Sequence, residues 1–530
     1  MTGGRKILLQ GAVLAGLTVL GCSSGPRPSP DSATEEDFVR VRPRAEPGGN
    51  GSADTPYSTL QDALQSGAPR VLLEPGVHES SRPIRLTRSV EVFGGRGAGG
   101  AHVAASVVVS GSDVTLRNLH FGGGIEARFA RRLTVEDATV HAGASGDAFN
   151  AYASMVDLQD VTVRGGSNTA IFVATSTLRL DRVRIDAARS RRGLFVTHGT
   201  CEATSVEISG GKSENVRLRG SRARVRQSVL RGSSQTGIAV VAGSSLTLGG
   251  VSVQATGEAL WLESSQGEVE DSDLWSRTSH GLALRHGEVR MRNGHVASEI
   301  GPSVWVSGEA GPSRLEWDGG RMVAGRAGGL RVADARVSLR KLRVSSSTTA
   351  DQVDAVVTSG PAAVIEVDAL EFQGIGGRAL VFRNDAGGHV ASSTVSGCGG
   401  GVSVEGVWRS DLTLRGMRIL GCGEEAGISV ADARIRAESV QLRGCRLSIG
   451  GGADVQVSSF EVKDVLRGLE VFGGARLMVR SSTVSGRIWS AFCSPGAVIE
   501  GTSTRWAGPT NLCARDFGAS DRNLRPSVGF

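Results

Sequence analysis

A phrase of two hydrophobic residues around one polar residue returns about every 22 to 23 positions, from residue 116 almost to the C-terminus. Its second hydrophobic falls at Phe121, Val140, Val163, Ile185, Ile208 and Leu230, and onward through Val462 and Val484 to a weaker instance near Thr504. A fixed period of this length restricts the chain to a solenoid, in which each repeat buries its apolar face only against its neighbours. The period speaks to architecture and is silent on chemistry.

The repeat is clearest between Val161 and Val241. Each unit holds one short alternating strand, as in Val161-Thr162-Val163 and Val183-Arg184-Ile185, followed by a polar, Gly-rich corner. A second strand comes about eight residues later, as in Ile171-Phe172-Val173, Leu194-Phe195-Val196 and Val216-Arg217-Leu218. A third follows another corner, as in Thr177-Leu178-Arg179-Leu180. Three period-two strands separated by Gly, Ser, Asn and Asp corners exclude helices. Helix-pair solenoids have longer periods, and the leucine-rich frame is absent. The expectation is all-β: a right-handed parallel β-helix of roughly 20 coils, stacked ~4.8 Å apart over a length on the order of 95 Å.

Composition agrees with a thin aliphatic core. Gly is 75 of 530 residues and aromatics are only 4 %, so Val, Leu, Ile and Ala must supply the interior. A core of this kind grows with repeat number, so 530 residues can form one domain. The net charge of +6 arises from 59 basic and 53 acidic residues that interleave, so no nucleic-acid face is expected.

The first residues read as a targeting segment. Arg5 and Lys6 precede an apolar stretch from Ile7 to Leu20, too short to span a membrane comfortably, and Val19-Leu20-Gly21-Cys22 closes it. That ending resembles the lipobox of bacterial lipoproteins. The resemblance implies a signal peptide over 1–21, lipidation of Cys22 and anchoring in the cell envelope, at the outer membrane in a Gram-negative cell. Residues 22–47, rich in Pro, Ser and charge, are expected to be a disordered tether. The β-helix is expected over 48–515, with 516–530 as a tail. At its start, Thr55 and Pro56 suit a helix N-terminus, with Leu60, Ala63 and Leu64 on one face as a cap for the first coil.

The opening from Gly48 to Leu64, followed by Val71-Leu72-Leu73-Glu74-Pro75-Gly76-Val77-His78, resembles that of the right-handed parallel β-helix superfamily. That superfamily includes pectate lyases, polygalacturonases and many surface proteins. The resemblance implies a polysaccharide as partner and an active or binding groove along the second strand and the corner before it. Strand alternation assigns the equivalent outward position to Phe172, Phe195, Arg217, Ala239, Trp261, Ala283, Trp305 and Arg331 in eight successive coils. Phe172, Phe195, Arg217, Trp261, Trp305 and Arg331 are therefore the candidate ligand-binding residues: aromatic faces for sugar rings, guanidiniums for carboxylates or hydroxyls. Two coils should separate Trp261 from Trp305 by ~9.6 Å, with Ala283 leaving a gap.

Catalysis is harder to build. Ser279-His280-Gly281-Leu282 resembles a Gly-His-Gly segment of polygalacturonases, yet the acids that protonate the leaving group and activate water are missing from the neighbouring coils. A lyase would need carboxylates holding Ca²⁺ and a base; the best remaining carboxylates are Asp351 and Asp354, in a lengthened corner beside Arg331. His280, Asp351 and Asp354 stand as catalytic candidates against a favoured non-catalytic binding or structural role. No metal or other cofactor is expected otherwise.

Among the cysteines, Cys398, Cys422 and Cys445 share one repeat position, which fits either a ladder of small buried side chains or one disulfide. Cys493 and Cys513 share another and are a candidate disulfide for the last coil. Glu263 and Arg285, outward in adjacent coils, are read as a surface ion pair.

Overall fold

The computed structural model describes residues 38–95, 100–142, 146–346, 352–422 and 425–511. These form an all-β parallel solenoid of about 19 turns with almost no helix. One sheet takes one strand per turn and, among the described residues, has 20 strands, from Ile84–Leu86 to Thr510–Asn511. A second, 39-stranded sheet takes the remaining strands and is continuous through the long strands Glu288–Ser298 and Arg314–Ala324. Every strand pairing is parallel, and the register between turns follows the sequence period.

Alternation along each strand builds the core. Ile171, Leu194, Val216, Ile238, Leu260 and Leu282 stand in one register ladder, and all are buried. A parallel ladder stacks identical positions at the coil spacing, so one aliphatic position repeated at a fixed period becomes a continuous apolar column.

Corners are closed by single residues in the left-handed region. Ala153, Thr175, His198, Ala242, Ser264 and His286 take up this conformation at one recurring corner, although none is glycine. Hydroxyls then satisfy the backbone freed by the bend. Ser154 Oγ donates to the Tyr152 carbonyl (2.7 Å) and accepts the Ala130 N–H of the adjacent coil (2.9 Å), and Ser176 Oγ receives the Ser154 N–H (2.9 Å). Buried backbone polar groups need such partners, which explains the serines that follow the bends.

Two expected boundaries move. Val39–Val41 is already a strand, paired in parallel with Arg70–Leu73, and Val41 is fully buried. The folded unit thus begins within the segment read as tether, at Val39 rather than residue 48. Two alternating valines suffice for a three-residue strand once a neighbouring strand completes their burial, a signal too short to stand out in a polar stretch. The helix is Leu60–Gln65 and its N-cap is Thr59, not Thr55. Thr59 Oγ1 accepts the Asp62 N–H at 3.1 Å, whereas the Thr55 hydroxyl is held in a turn by Asn50 and Ser52. Leu60, Ala63 and Leu64 are buried as expected.

Cys422 and Cys445 form a disulfide across adjacent coils, with Cα atoms 5.3 Å apart. Cys398 beside them is a buried thiol whose pKa is raised by burial, and burial pushes Cys201 up to about 12. Both thiols are thereby kept protonated and unreactive. Cys493 is buried; Cys513 lies outside the described residues, as does Cys22. No helix among the described residues is long and apolar enough to cross a membrane.

Candidate functional site

The outward ladder is continuous. Phe172 pairs with Phe195, then Arg217, Ala239, Trp261, Ala283, Trp305, Arg331 and Val357, one residue per coil. Strands of four to six residues hold each of these side chains against an interior in which both sequence neighbours are buried, so the row sits on a stiff support.

At its centre, Trp261 and Trp305 do not leave the expected gap. Their ring centroids are 6.5 Å apart and tilted by 33°, so the indoles lean together over Ala283, which is 1 % exposed. Two large apolar rings flanking a methyl group lose water by closing over it, and an offset geometry suits their quadrupoles. The result is a half-buried aromatic plate spanning three coils.

His280 completes one side of the plate, its ring 5.7 Å from Trp305. Ser279 Oγ donates to Glu258 Oε1 at 2.9 Å and lies 2.8 Å from His280 Nδ1; Thr236 Oγ1 donates to Glu258 Oε2 at 3.2 Å. With the serine proton committed to the carboxylate, the imidazole proton sits on Nδ1 and Nε2 is left as an acceptor. Burial lowers the His280 pKa and the Arg331 charge adds to the effect, while Glu258 opposes them. Glu258 and Ser279 carry no role in the sequence reading; the signal was that Glu258 precedes Leu260 by the same two residues that separate His280 from Leu282.

Arg331 follows Trp305 in the next coil and is exposed, its Nε and Nη2 donating to the Ala327 carbonyl at 3.3 and 3.0 Å. Beside it lies a depression of about 270 Å³ lined by Arg326, Ala327, Arg331, Gln352, Val353, Asp354, Val357 and Arg383. Asp354 is held there in an ion pair with Arg378. Arg378 donates to both of its carboxylate oxygens, at 3.0 Å from Nε and 3.1 Å from Nη2, and its backbone N–H adds a third bond at 3.0 Å. These three bonds engage both carboxylate oxygens of Asp354. Among the described residues no group of three or more His, Cys, Asp or Glu is placed to hold a metal. Asp351 lies outside the described residues.

The other end of the row is built for packing. Phe172 and Phe195 meet at 5.4 Å, Tyr152 joins at 5.6 Å from Phe172, and the Arg192 guanidinium lies 5.1 Å over Phe195. Arg217, expected to be free for a ligand, is bound to Glu214 at 2.7 Å, and Arg192 holds the other oxygen at 2.8 Å. Glu214 is buried; burial alone would raise its carboxyl, but the Ser213 hydroxyl and the two guanidiniums bring it net below the usual value. The carboxylate comes from the strand start, a position that outward alternation does not reveal. Elsewhere Arg285 and Glu263 pair at 3.8 Å, both well exposed.

No family model matches the chain, and no curated protein matches it. Among solved structures, the catalytic domain of a GH87 α-1,3-glucanase in complex with tetrasaccharides is 13 % identical, with 72 % of this chain and 67 % of that chain covered and a TM-score of 0.33. A pectate lyase is 12 % identical, with coverages of 68 % and 78 % and a TM-score of 0.17. PfbA, a surface adhesin of Streptococcus pneumoniae, is 10 % identical, with coverages of 87 % and 92 % and a TM-score of 0.18. Likeness at this level carries no functional argument; the fold rests on the register described above.

Proposed function

We propose that this chain is an exported, lipid-anchored β-helix that binds polysaccharide at the Trp261–Trp305 plate without transforming it. The observation that carries the reading is the paired indoles, partly open to solvent on a stiff strand ladder. Flat apolar faces match the C–H faces of pyranose rings, and a solenoid presents them with little conformational entropy left to lose. The Cys22 segment supports export and anchoring.

Binding to a panel of neutral and acidic glycans tests it. Trp261→Ala and Trp305→Ala should each weaken the bound glycan by about tenfold or more. Failure of the wild-type protein to bind any glycan would overturn the reading and leave a spacer or adhesin without a small ligand. A second reading, a divergent lyase or hydrolase, draws on the Glu258–Ser279–His280 chain, which orients an imidazole with a free acceptor nitrogen. It requires release of unsaturated or reducing sugar ends that disappears in His280→Ala.

A further inference from the structure

Three of the nine histidines lie on one face of three successive coils near the start of the solenoid. His102 is the middle residue of the strand Ala101–Val103 and His120 that of Leu119–Phe121, and the two are register partners. The next strand in the stack, Thr139–His141, ends in the third. Ala101, Val103, Leu119, Phe121 and Val140 are buried, so alternation turns all three imidazoles outward from the larger sheet, a different sheet from the one that carries the two tryptophans.

Glycines make room for the rings. A Cβ at Gly122 would stand 2.9 Å from His102 Nε2, and one at Gly100 would stand 3.1 Å from His120 Nε2. His102 therefore lies over Gly122. Because Phe121 and Val140 are register partners, Gly122 holds in its coil the place that His141 takes in the next. His102 thus has His120 beside it and His141 just beyond Gly122.

The protein itself makes no use of these rings. His78, His198, His280, His286 and His295 each have a hydrogen-bond or ion-pair partner, whereas His102, His120 and His141 have none among the described residues. Imidazoles on directly opposed positions repel one another once protonated, so the arrangement gains nothing as surface charge. Burial lowers the His141 pKa, and the charges of Arg164, His102 and His120 add to the effect, which leaves that ring neutral at pH 7 with a lone pair to donate. Neutral imidazoles without a carboxylate among them suit Zn²⁺, Cu²⁺ or Ni²⁺ rather than Ca²⁺ or Mg²⁺.

Independently of the glycan-binding reading, we infer that His102, together with His120 and His141, forms a binding site for a divalent transition-metal ion. As they stand the three do not form a closed set of ligands. Closing them on a cation takes rotation of side chains that are exposed or half-buried, over a backbone already fixed by strand pairing. Water fills the positions that the imidazoles leave open.

The test titrates the full chain, without an added histidine tag, with Zn²⁺, Cu²⁺ and Ni²⁺ by calorimetry. At least one ion should bind saturably and raise the unfolding temperature. His102→Ala should weaken that binding by about tenfold or more, since losing a ligand costs at least as much as losing an outer-shell partner. His120→Ala or His141→Ala should weaken it as well, and His389→Ala, which removes an exposed histidine from a later coil, should not. Binding of none of the three ions, undiminished affinity in His102→Ala, a loss confined to His102→Ala, or an equal loss in His389→Ala would each overturn the inference. Electron paramagnetic resonance of the Cu²⁺-loaded wild type reads the site without any substitution: nitrogen coupling from at least two imidazoles supports it, and coupling from one or none overturns it.

Discussion

Glu214 is held in place by two cations, and each of its oxygens has one guanidinium. Replacing it with Gln strands Arg192 and Arg217 beside a neutral group in a mostly dry setting, at an expected cost of about 2–3 kcal/mol. Its folded-state pKa lies below the ordinary 4.5, so its stabilising contribution is present above that pH and is lost as pH falls through the depressed folded value. Urea unfolding of wild type and Glu214→Gln should therefore differ at neutral pH and converge on acidification. His280 has the opposite charge type and also a lowered pKa. Between the folded value and the ordinary 6.5 the unfolded chain binds the extra proton, so stability rises with pH across that window. His280→Gln should flatten this slope, and an NMR titration should place the ring's protonation below 6.5. An undisplaced midpoint would refute the buried setting of the ring.

Ala283 sits on the strand Leu282–Arg285, between the two that carry the indoles, and it lets them meet. Ala283→Phe should drive the rings apart, change the near-ultraviolet circular dichroism of the tryptophan pair and weaken glycan binding, while leaving the buried Leu282 and Leu284 in register. At this scale the ladder was fully legible: period-two alternation assigned eight successive outward positions, and all eight are register partners. What alternation could not show was how long side chains lean. The expected gap between the indoles closed, Arg217 turned to Glu214, and Asp354 was taken by Arg378. The last two depend on Glu214 and Arg378, first residues of their strands that the outward alternation does not single out, and the first on the reach of two indoles over Ala283.

Across the whole molecule, the Cys422–Cys445 disulfide staples two adjacent coils separated by 23 residues in sequence. Closing a loop of that size should contribute about 3 kcal/mol through the unfolded chain. Because each coil contacts only its neighbours, reduction should loosen the coils around residues 420–450 and leave those around Trp261 protected. Hydrogen exchange with and without reductant checks this, and uniform loss of protection along the chain would contradict nearest-neighbour stabilisation. Among the cysteines, a common repeat position showed which could meet; the choice of Cys445 rather than Cys398 as the partner of Cys422 needed the folded geometry. By itself the sequence determined the solenoid, its register and the identity of the outward row, because stacking depends on one-dimensional period and a period is written in order along the chain. Only the tertiary structure decided which charges pair and which rings touch. Those outcomes are set by competition among side chains about 22 residues apart, whose reach and direction no periodic pattern encodes.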